Sequence, residues 1–144
     1  MNRRRFVAAS CIAAPLLLAQ SFSALAQGAS TKNKLIIQVS DADPKKWTLA
    51  LNNAKNVQSD LGKANVEIEI VAYGPGIGML KMESEVGPRV AEAMADGVKM
   101  IACENTMINQ KIPKDDMLPK IGYVKAGVVE IMQKQQQGYA YLRP

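Results

Sequence analysis

Residues 34–73 read KLIIQVSDADPKKWTLALNNAKNVQSDLGKANVEIEIVAY, and this stretch decides the fold. It opens with Lys34–Val39, a β-branched run typical of a buried strand. Apolar residues then recur at helical spacing over Pro44–Leu61, with Asp43 in the N-cap position and a proline at the first helical position. Val66–Tyr73 is a second β-branched run. The stretch therefore predicts two strands joined by a helix, a connection that makes the strands parallel.

The rest of the chain continues this alternation. Further strands are predicted at Val98–Cys103, Ile121–Val124 and Tyr139–Leu142, and further helices at Met79–Ser84, Pro88–Asp96, Glu104–Lys111 and Ala126–Gln137. Glu67 and Glu69 alternate with apolar residues, so we expect one face of the second strand to be wet in its first half. Residues 34–144 thus predict an α/β domain. The expected form is a flavodoxin-like three-layer sandwich, with helices on both faces of a five-stranded, mainly parallel sheet.

The first 26 residues, MNRRRFVAASCIAAPLLLAQSFSALA, have the pattern of a secretory signal peptide. Arg3–Arg5 form a basic head, Phe6–Ala19 an apolar middle and Ala24–Ala26 a small-x-small cleavage site. The arginines followed by phenylalanine resemble a twin-arginine export signal. The apolar middle is shorter than the roughly 20 residues that span a bilayer. We expect export to the periplasm, cleavage after Ala26, no membrane insertion afterwards, and a flexible lead-in over 27–33.

Composition and charge exclude several classes of function. The 144 residues include no histidine, which excludes Ser-His-Asp and Cys-His catalysis and any histidine metal ligand. The formal net charge is +5, but cleavage would remove three arginines and no acid, leaving +2. A domain with so small a charge and no basic stripe is not expected to bind nucleic acid. Cleavage would also remove Cys11, leaving Cys103 as the single cysteine.

Cys103 is the first candidate for chemistry. The carboxyl ends of parallel strands meet at one edge of a sheet, so Cys103 is expected beside the loop that follows the second strand. It also precedes a predicted helix, whose N-terminus would lower the pKa of its thiol and favour the reactive thiolate. Glu104 opposes this, because a neighbouring carboxylate disfavours a second negative charge. The alternative is a small apolar residue that ends a buried strand.

The glycine-rich loop after the second strand is a candidate ligand site. Its members are Tyr73, Gly74, Pro75, Gly76 and Gly78. Glycines allow backbone N–H groups to turn outward and bind a small anion. The loop lacks the Lys-Ser/Thr of a P-loop and does not match G-x-G-x-x-G, so no nucleotide or other cofactor is expected. A tight turn that makes room for a neighbouring loop is the alternative interpretation.

Three methionines offer another possibility. Met79, Met82 and Met107 lie in segments expected near Cys103. A thiolate with thioethers is a soft donor set that suits Cu(I), although methionines more often pack in a core.

Several stretches together resemble the DsrE/DsrF-like family. They are KLIIQVSD (34–41), ALNNAKNV (50–57), VEIEIVAYGPGI (66–77), GVKMIACENTM (97–107) and AGVVEIMQKQQQGYAYLRP (126–144). The resemblance implies a flavodoxin-like fold assembled as trimers or hexamers, with Cys103 as the active residue. It also implies sulfur relay, in which cytoplasmic relatives pass sulfur between proteins as a cysteine persulfide. The export signal is a departure, because it separates this chain from cytoplasmic relay partners.

The leading hypothesis from the sequence is an exported protein of sulfur metabolism, either a sulfur carrier or a sulfurtransferase-like enzyme. Cys103 would form a persulfide or bind a sulfur species, with Asn105 and Thr106 orienting the thiolate. Its partner would be a periplasmic sulfur-carrying protein or a small sulfur anion. The alternatives are a non-catalytic periplasmic oligomeric module with a structural Cys103, and a Cu(I)-binding protein.

Overall fold

The computed structural model describes residues 32–144, so the predicted signal peptide and residues 27–31 of the lead-in lie outside the described residues. The strands are β1 (Asn33–Val39), β2 (Val66–Ala72), β3 (Lys99–Cys103), β4 (Gly122–Val124) and β5 (Ala140–Leu142). The α-helices are α1 (Pro44–Leu61), α2 (Gly87–Ala95), α3 (Glu104–Asn109) and α4 (Gly127–Gln136). Short 3-10 segments occupy Lys63–Asn65, Gly74–Leu80 and Lys114–Asp116. Within 32–144, no helix combines the length and apolarity needed to cross a membrane.

All five strands are parallel and follow the order β4-β3-β2-β1-β5, which confirms the predicted α/β sandwich. The crossovers from β1 to β2, β3 and β4 each move one strand in the same direction across the sheet. The last crossover, from β4 to β5, returns across the sheet to the far side of β1. Because crossovers share one hand, α1, α2 and α3 cover one face and α4 covers the other. Trp47, Val90 and Met107 accordingly pack in the larger core cluster, whereas Ile131 of α4 packs in a separate small one.

This strand order positions a crevice at one edge of the sheet. The chain leaves β3 toward the face of α1 and leaves β4 toward the face of α4. Where adjacent strands send their connections to opposite faces, the two loops separate and open a crevice at the carboxyl ends. Cys103 ends β3 and therefore lies at this crevice.

The start of α1 forms as the sequence predicts. The side chain of Asp43 accepts a hydrogen bond of 2.9 Å from the backbone N–H of Lys45, and Pro44 opens the helix. The next loop differs from the prediction, since the expected helical turn at Met79–Ser84 begins instead at Gly74. A Cβ at Gly76 would lie 2.3 Å from the carbonyl oxygen of Val39, so only glycine lets this segment fold against the end of β1.

The expectation that Glu69 faces water is wrong. Its side chain is 2% exposed and lies beneath α4, where the ammonium of Lys134 is 3.0 Å from Oε2. Lys134 also lies 3.6 Å from Glu130, and Oε1 of Glu69 has no hydrogen-bond partner. Burial raises the pKa of Glu69, and the ion pair with Lys134 only partly opposes this. The buried carboxylate and the partly buried ammonium thus join the middle of β2 to the last turn of α4.

A second polar contact holds the chain just after α4. The buried hydroxyl of Tyr139 donates a hydrogen bond to Glu67, and Lys99 lies 2.9 Å from the same carboxylate oxygen. The hydrogen bond from Tyr139, with help from Lys99, lowers the pKa of Glu67 to about 2. Burial and the hydrogen bond to Glu67 raise the pKa of Tyr139 to about 12. Tyr139 was expected to begin the last strand, but it precedes β5 and anchors it to β2.

Lys134→Met should destabilise the protein strongly, because it leaves the Glu69 carboxylate buried without a counter-charge. We expect a loss of about 3 kcal/mol in the free energy of unfolding by urea at pH 7. The double variant Glu69→Leu/Lys134→Met should recover most of that loss. Lys55→Met, which removes an ion pair between largely exposed side chains, should cost no more than about 1 kcal/mol. A loss no larger for Lys134→Met than for this control would contradict the argument.

Tyr139→Phe should reduce the dependence of stability on pH. The lowered pKa of Glu67 adds stability that is present above pH 4.5 and is lost as the pH falls toward 2. The raised pKa of Tyr139 adds stability that is present below pH 10 and is lost as the pH rises toward 12. Urea unfolding across both ranges should show shallower slopes for Tyr139→Phe than for the control Tyr123→Phe, whose ring packs in the opposite core. Equal slopes would disprove this coupling.

Candidate functional site

The start of α4 lies directly over the thiol. A Cβ built on Gly127 would lie 3.4 Å from Cβ of Cys103, 3.2 Å from Cβ of Tyr73 and 3.1 Å from Cγ1 of Val71. A larger residue at this position would have to push the helix away from the ends of β2 and β3. Glycine therefore allows the first turn of α4 to reach the crevice and brings its backbone close to Cys103.

Hydrogen-bond donors converge on the sulfur of Cys103. The residue is only 5% exposed, and burial by itself would raise the pKa of the thiol. The hydroxyl of Thr106 and the backbone N–H groups of Gly127, Thr106 and Asn105 outweigh this effect and lower the pKa. When protonated, the thiol donates to the carbonyl oxygen of Lys125 at 3.8 Å. These donors thus favour the thiolate, the form of cysteine that acts as a nucleophile.

The glycine loop contributes by positioning Thr106. The backbone N–H of Gly74 donates to Oγ1 of Thr106 at 2.9 Å, and the side-chain amide of Gln110 donates to the carbonyl oxygen of Gly74 at 3.1 Å. With one lone pair of Oγ1 occupied by Gly74, the hydroxyl hydrogen is free to point at Cys103. The loop, α3 and the thiol therefore form one connected hydrogen-bond network.

The other loop residues have different surroundings. Tyr73 places its Cβ beside Gly127 and its hydroxyl in a hydrogen bond with Ser40. Pro75 is exposed, and Gly78 packs against the ring of Trp47. The N–H of Gly76 donates to the carbonyl oxygen of Tyr73 at 3.1 Å. Since the amides of Gly74 and Gly76 are both engaged within the protein, neither is free for the anion that the sequence suggested.

The side chains of Asn105 and Glu104 do not act on the Cys103 thiol in the way that the sequence suggested. The side chain of Asn105 is exposed, and this residue reaches the thiol only through its backbone N–H, which also donates to Lys125. Orientation of the thiolate by the asparagine side chain is therefore not observed. Glu104 is paired with Lys114 at 3.1 Å, which offsets the repulsion expected between its carboxylate and a thiolate.

The soft-metal donor set is not assembled. Met79 and Met107 are buried in the core cluster beneath α1, whereas Cys103 faces Gly127 on the side of α4, and Met82 is exposed. Methionines at these positions pack the core and do not converge on the thiol. In the part of the chain from 32 to 144, no group of three or more histidine, cysteine, aspartate or glutamate residues is arranged to hold a metal ion.

Gly127 and Lys125 belong to the site although their sequence context did not single them out. The sequence feature that could have identified Gly127 is its place at the start of a predicted helix, where a glycine lets the helix backbone approach a neighbouring strand closely. Its target could not be identified without the strand order, which places β4 and the start of α4 next to Cys103.

The fold and the site together define a class of protein: a parallel α/β domain with a stabilised thiol at the crevice where the crossovers change face. A sequence model of the DsrE/DsrF-like family matches residues 32–144, and the chain belongs to this family.

Two solved structures support this assignment of fold. The protein of unknown function MTH1491 from Methanobacterium thermoautotrophicum is 33% identical, with 78% of this chain and all of that chain covered and a TM-score of 0.75. The conserved protein of unknown function BT1422 from Bacteroides thetaiotaomicron has the same fold at 15% identity. It covers 78% of this chain and 95% of its own, with a TM-score of 0.64. No curated protein is significantly similar to the chain.

Thr106→Val should raise the pKa of the Cys103 thiol, because it removes a hydroxyl donor to the thiolate and keeps the side-chain shape. We expect alkylation of the native protein at pH 7 to slow roughly tenfold, the effect of one hydrogen bond to a charged group. The pH dependence of the thiolate absorbance provides a measure that does not depend on access of the reagent. Thr106→Ser retains the hydroxyl and should behave like the original protein, as should Thr48→Val in α1. A thiol titration unchanged in Thr106→Val would rule out this role.

Proposed function

We propose that this protein is exported and carries sulfane sulfur as a persulfide on Cys103, as a sulfur carrier or sulfurtransferase of sulfur metabolism. Membership of the DsrE/DsrF-like family suggests a sulfur-relay-related function. The observation that supports persulfide chemistry is the group of hydrogen-bond donors around Cys103, which lowers the pKa of its thiol despite the burial of the residue.

The chemistry requires only thiolates and sulfane sulfur. The Cys103 thiolate attacks the sulfane sulfur of a donor, whose S–S bond breaks, and the remaining donor thiolate leaves with the electron pair. An acceptor thiolate then attacks the outer sulfur of the Cys103 persulfide, and Cys103 leaves as a thiolate. The hydrogen-bond donors that favour the Cys103 thiolate promote this departure, because a thiol of lower pKa is a faster leaving group in thiol exchange. The transferred sulfur lies one S–S bond of about 2 Å beyond Sγ, which brings it outward from a buried position.

The proposed location is argued from the N-terminal sequence, and the proposed oligomer from an exposed apolar surface of α4. Residues 1–26 have the pattern of a twin-arginine export signal, which would place the domain in the periplasm. The partner there would be a sulfur-carrying protein or a small sulfur anion. Val128, Val129 and Met132 on α4 are exposed apolar side chains, which supports assembly as a homo-oligomer such as a trimer or hexamer.

A non-catalytic binding or assembly module is the second candidate. The observation in its favour is the 5% exposure of Cys103, since a structural cysteine is typically buried and inert. In that case the surface of the oligomer, and not the thiol, would be functional. Cys103→Ser would then leave assembly and partner binding unchanged.

Mass spectrometry separates the two candidates. The chain from Gln27 onward, purified without reductant and exposed to inorganic polysulfide, should gain the mass of one sulfur atom on Cys103. Low-molecular-weight thiol should then remove that sulfur. Cys103→Ser should show no adduct and should retain the unfolding transition of the original protein. A thiol that is alkylated in the native state but never acquires sulfur would refute the persulfide proposal. A thiol that reacts only in denaturant would support the structural alternative.

A further inference from the structure

A polar row continues from the thiol along the same edge of the sheet. Tyr73 and Cys103 both pack against Gly127, the first residue of α4. The hydroxyl of Tyr73 bonds to Ser40, which follows β1. The side-chain amide of Gln38 donates to Oγ of Ser40 at 3.1 Å, and the hydroxyl of Tyr141 donates to Oε1 of Gln38 at 2.6 Å. The row therefore crosses the carboxyl ends of β2, β1 and β5.

The far end of this row carries a surplus of positive charge. The ammonium of Lys46 lies 3.0 Å from Oδ2 of Asp41, and the guanidinium of Arg143 lies 3.6 Å from the same oxygen. Two cations thus share one carboxylate. Lys45 is exposed, and Asp43 keeps its negative charge while it caps α1, so this segment carries three cations and two carboxylates. The Arg143 side chain is 52% exposed although it contacts Asp41, so part of its planar set of five N–H donors faces solvent.

Sheet geometry sets the distance from this charge to the thiol. Cys103 is on β3 and Arg143 directly follows β5, with β2 and β1 between them. Neighbouring strands lie about 4.8 Å apart, so the two strands are separated by about 14 Å. The Arg143 guanidinium contacts Asp41, which follows β1, so its charge lies roughly 10 Å, or two strand spacings, from β3. An anion bound by Arg143 therefore lies far from the sulfur that reacts.

This separation discriminates among sulfur donors. In thiosulfate the anionic oxygens are one S–S bond of about 2 Å from the sulfane sulfur, which is too short to connect the two positions. In an organic persulfide, two S–S lengths separate Sγ from the donor thiol sulfur in the attacking geometry. An extended peptide arm then adds about 3.5 Å per residue. A short thiol peptide with terminal carboxylates can bridge the whole distance.

We propose that Arg143 is a specificity residue that binds a carboxylate of an acidic, low-molecular-weight thiol persulfide whose sulfane sulfur reaches Cys103. This inference rests on the proposed function and names its donor class. The hydroxyls of Tyr73 and Tyr141 line the path between the two ends. Arginine suits this task because its planar fork matches a carboxylate with two parallel hydrogen bonds.

The transfer step is balanced without any additional reactant. In R–S–SH, the Cys103 thiolate attacks the outer sulfur, and a new S–S bond forms to Sγ. The original S–S bond breaks, and its electron pair leaves with R–S⁻. The hydrogen stays on the transferred sulfur, so the products are R–S⁻ and a Cys103 persulfide. One S–S bond replaces another, and there is no net oxidation or reduction.

Three donors test the proposal on the chain from Gln27 onward. They are glutathione persulfide, the persulfide of glutathione diethyl ester, which lacks both carboxylates, and inorganic polysulfide. Quenched mass spectrometry gives the rate of sulfur addition to Cys103 for each donor. Arg143→Gln should slow addition from glutathione persulfide roughly tenfold, the effect expected of a charge-assisted hydrogen bond. Addition from the ester and from polysulfide should be unchanged.

Matched variants and outcomes complete the design. Arg89→Gln is the same substitution at the other described arginine, which bonds to Asn52 between α2 and α1, and should leave all three rates unchanged. Arg143→Lys keeps the charge and should restore part of the rate. A loss common to all three donors, or no loss with glutathione persulfide, would overturn the role of Arg143 and leave the persulfide chemistry standing. Absence of a persulfide from every donor would instead overturn the proposed function itself.

Discussion

The packing of Gly127 against the ends of β2 and β3 is the contact on which the arrangement of the thiol depends. It brings one backbone N–H of α4 to the sulfur of Cys103 and packs the same turn of the helix against Cβ of Tyr73. The opposite wall is α3, whose Thr106 is held in turn by Gly74. Both walls exist only because the connections after β3 and β4 go to different faces of the sheet. The chemistry of the site is thus a direct result of topology.

The position of α4 depends on charges buried beneath it. Among residues 32–144, the ten-residue helix α4 is the one that covers this face of the sheet, and its small cluster contains few apolar side chains. Lys134 and Glu69 hold its last turn, and Tyr139 with Glu67 holds the segment that follows. A buried ion pair adds little net stability relative to apolar residues of similar volume. Its effect here is on position, since it joins the last turn of α4 to the middle of β2.

Much of the fold could be predicted from local patterns. The β-branched runs identified the strands, and Asp43 with Pro44 identified the start of α1 to the residue. The position of Cys103 at the crevice followed from its place at the end of a strand. The burial of Glu69 could not be predicted, because its counter-charge, Lys134, lies 65 positions further along the chain, in a helix end that reads QKQQ and is polar throughout.

The details of the site depended on contacts that sequence spacing does not encode. Asn105 and Thr106 are adjacent polar residues at the start of α3, and only the structure shows that Thr106 turns inward to Gly74 while Asn105 turns outward. Similarly, the short strand β5 could have joined either edge of the sheet. Its pairing with β1 is what brings Arg143 to Asp41.

That pairing joins the first strand to the last. Residues 35–37 of β1 pair with residues 140–142 of β5, so the sheet stays incomplete until the intervening chain has been synthesised. During that interval β1 has an unpaired edge of backbone N–H and C=O groups, which is a template for association with other chains. Long-range pairing of this kind also slows folding, because a large loop must close before the contact forms. The same short strand that positions Arg143 therefore sets the latest step at which a nascent chain is vulnerable to aggregation.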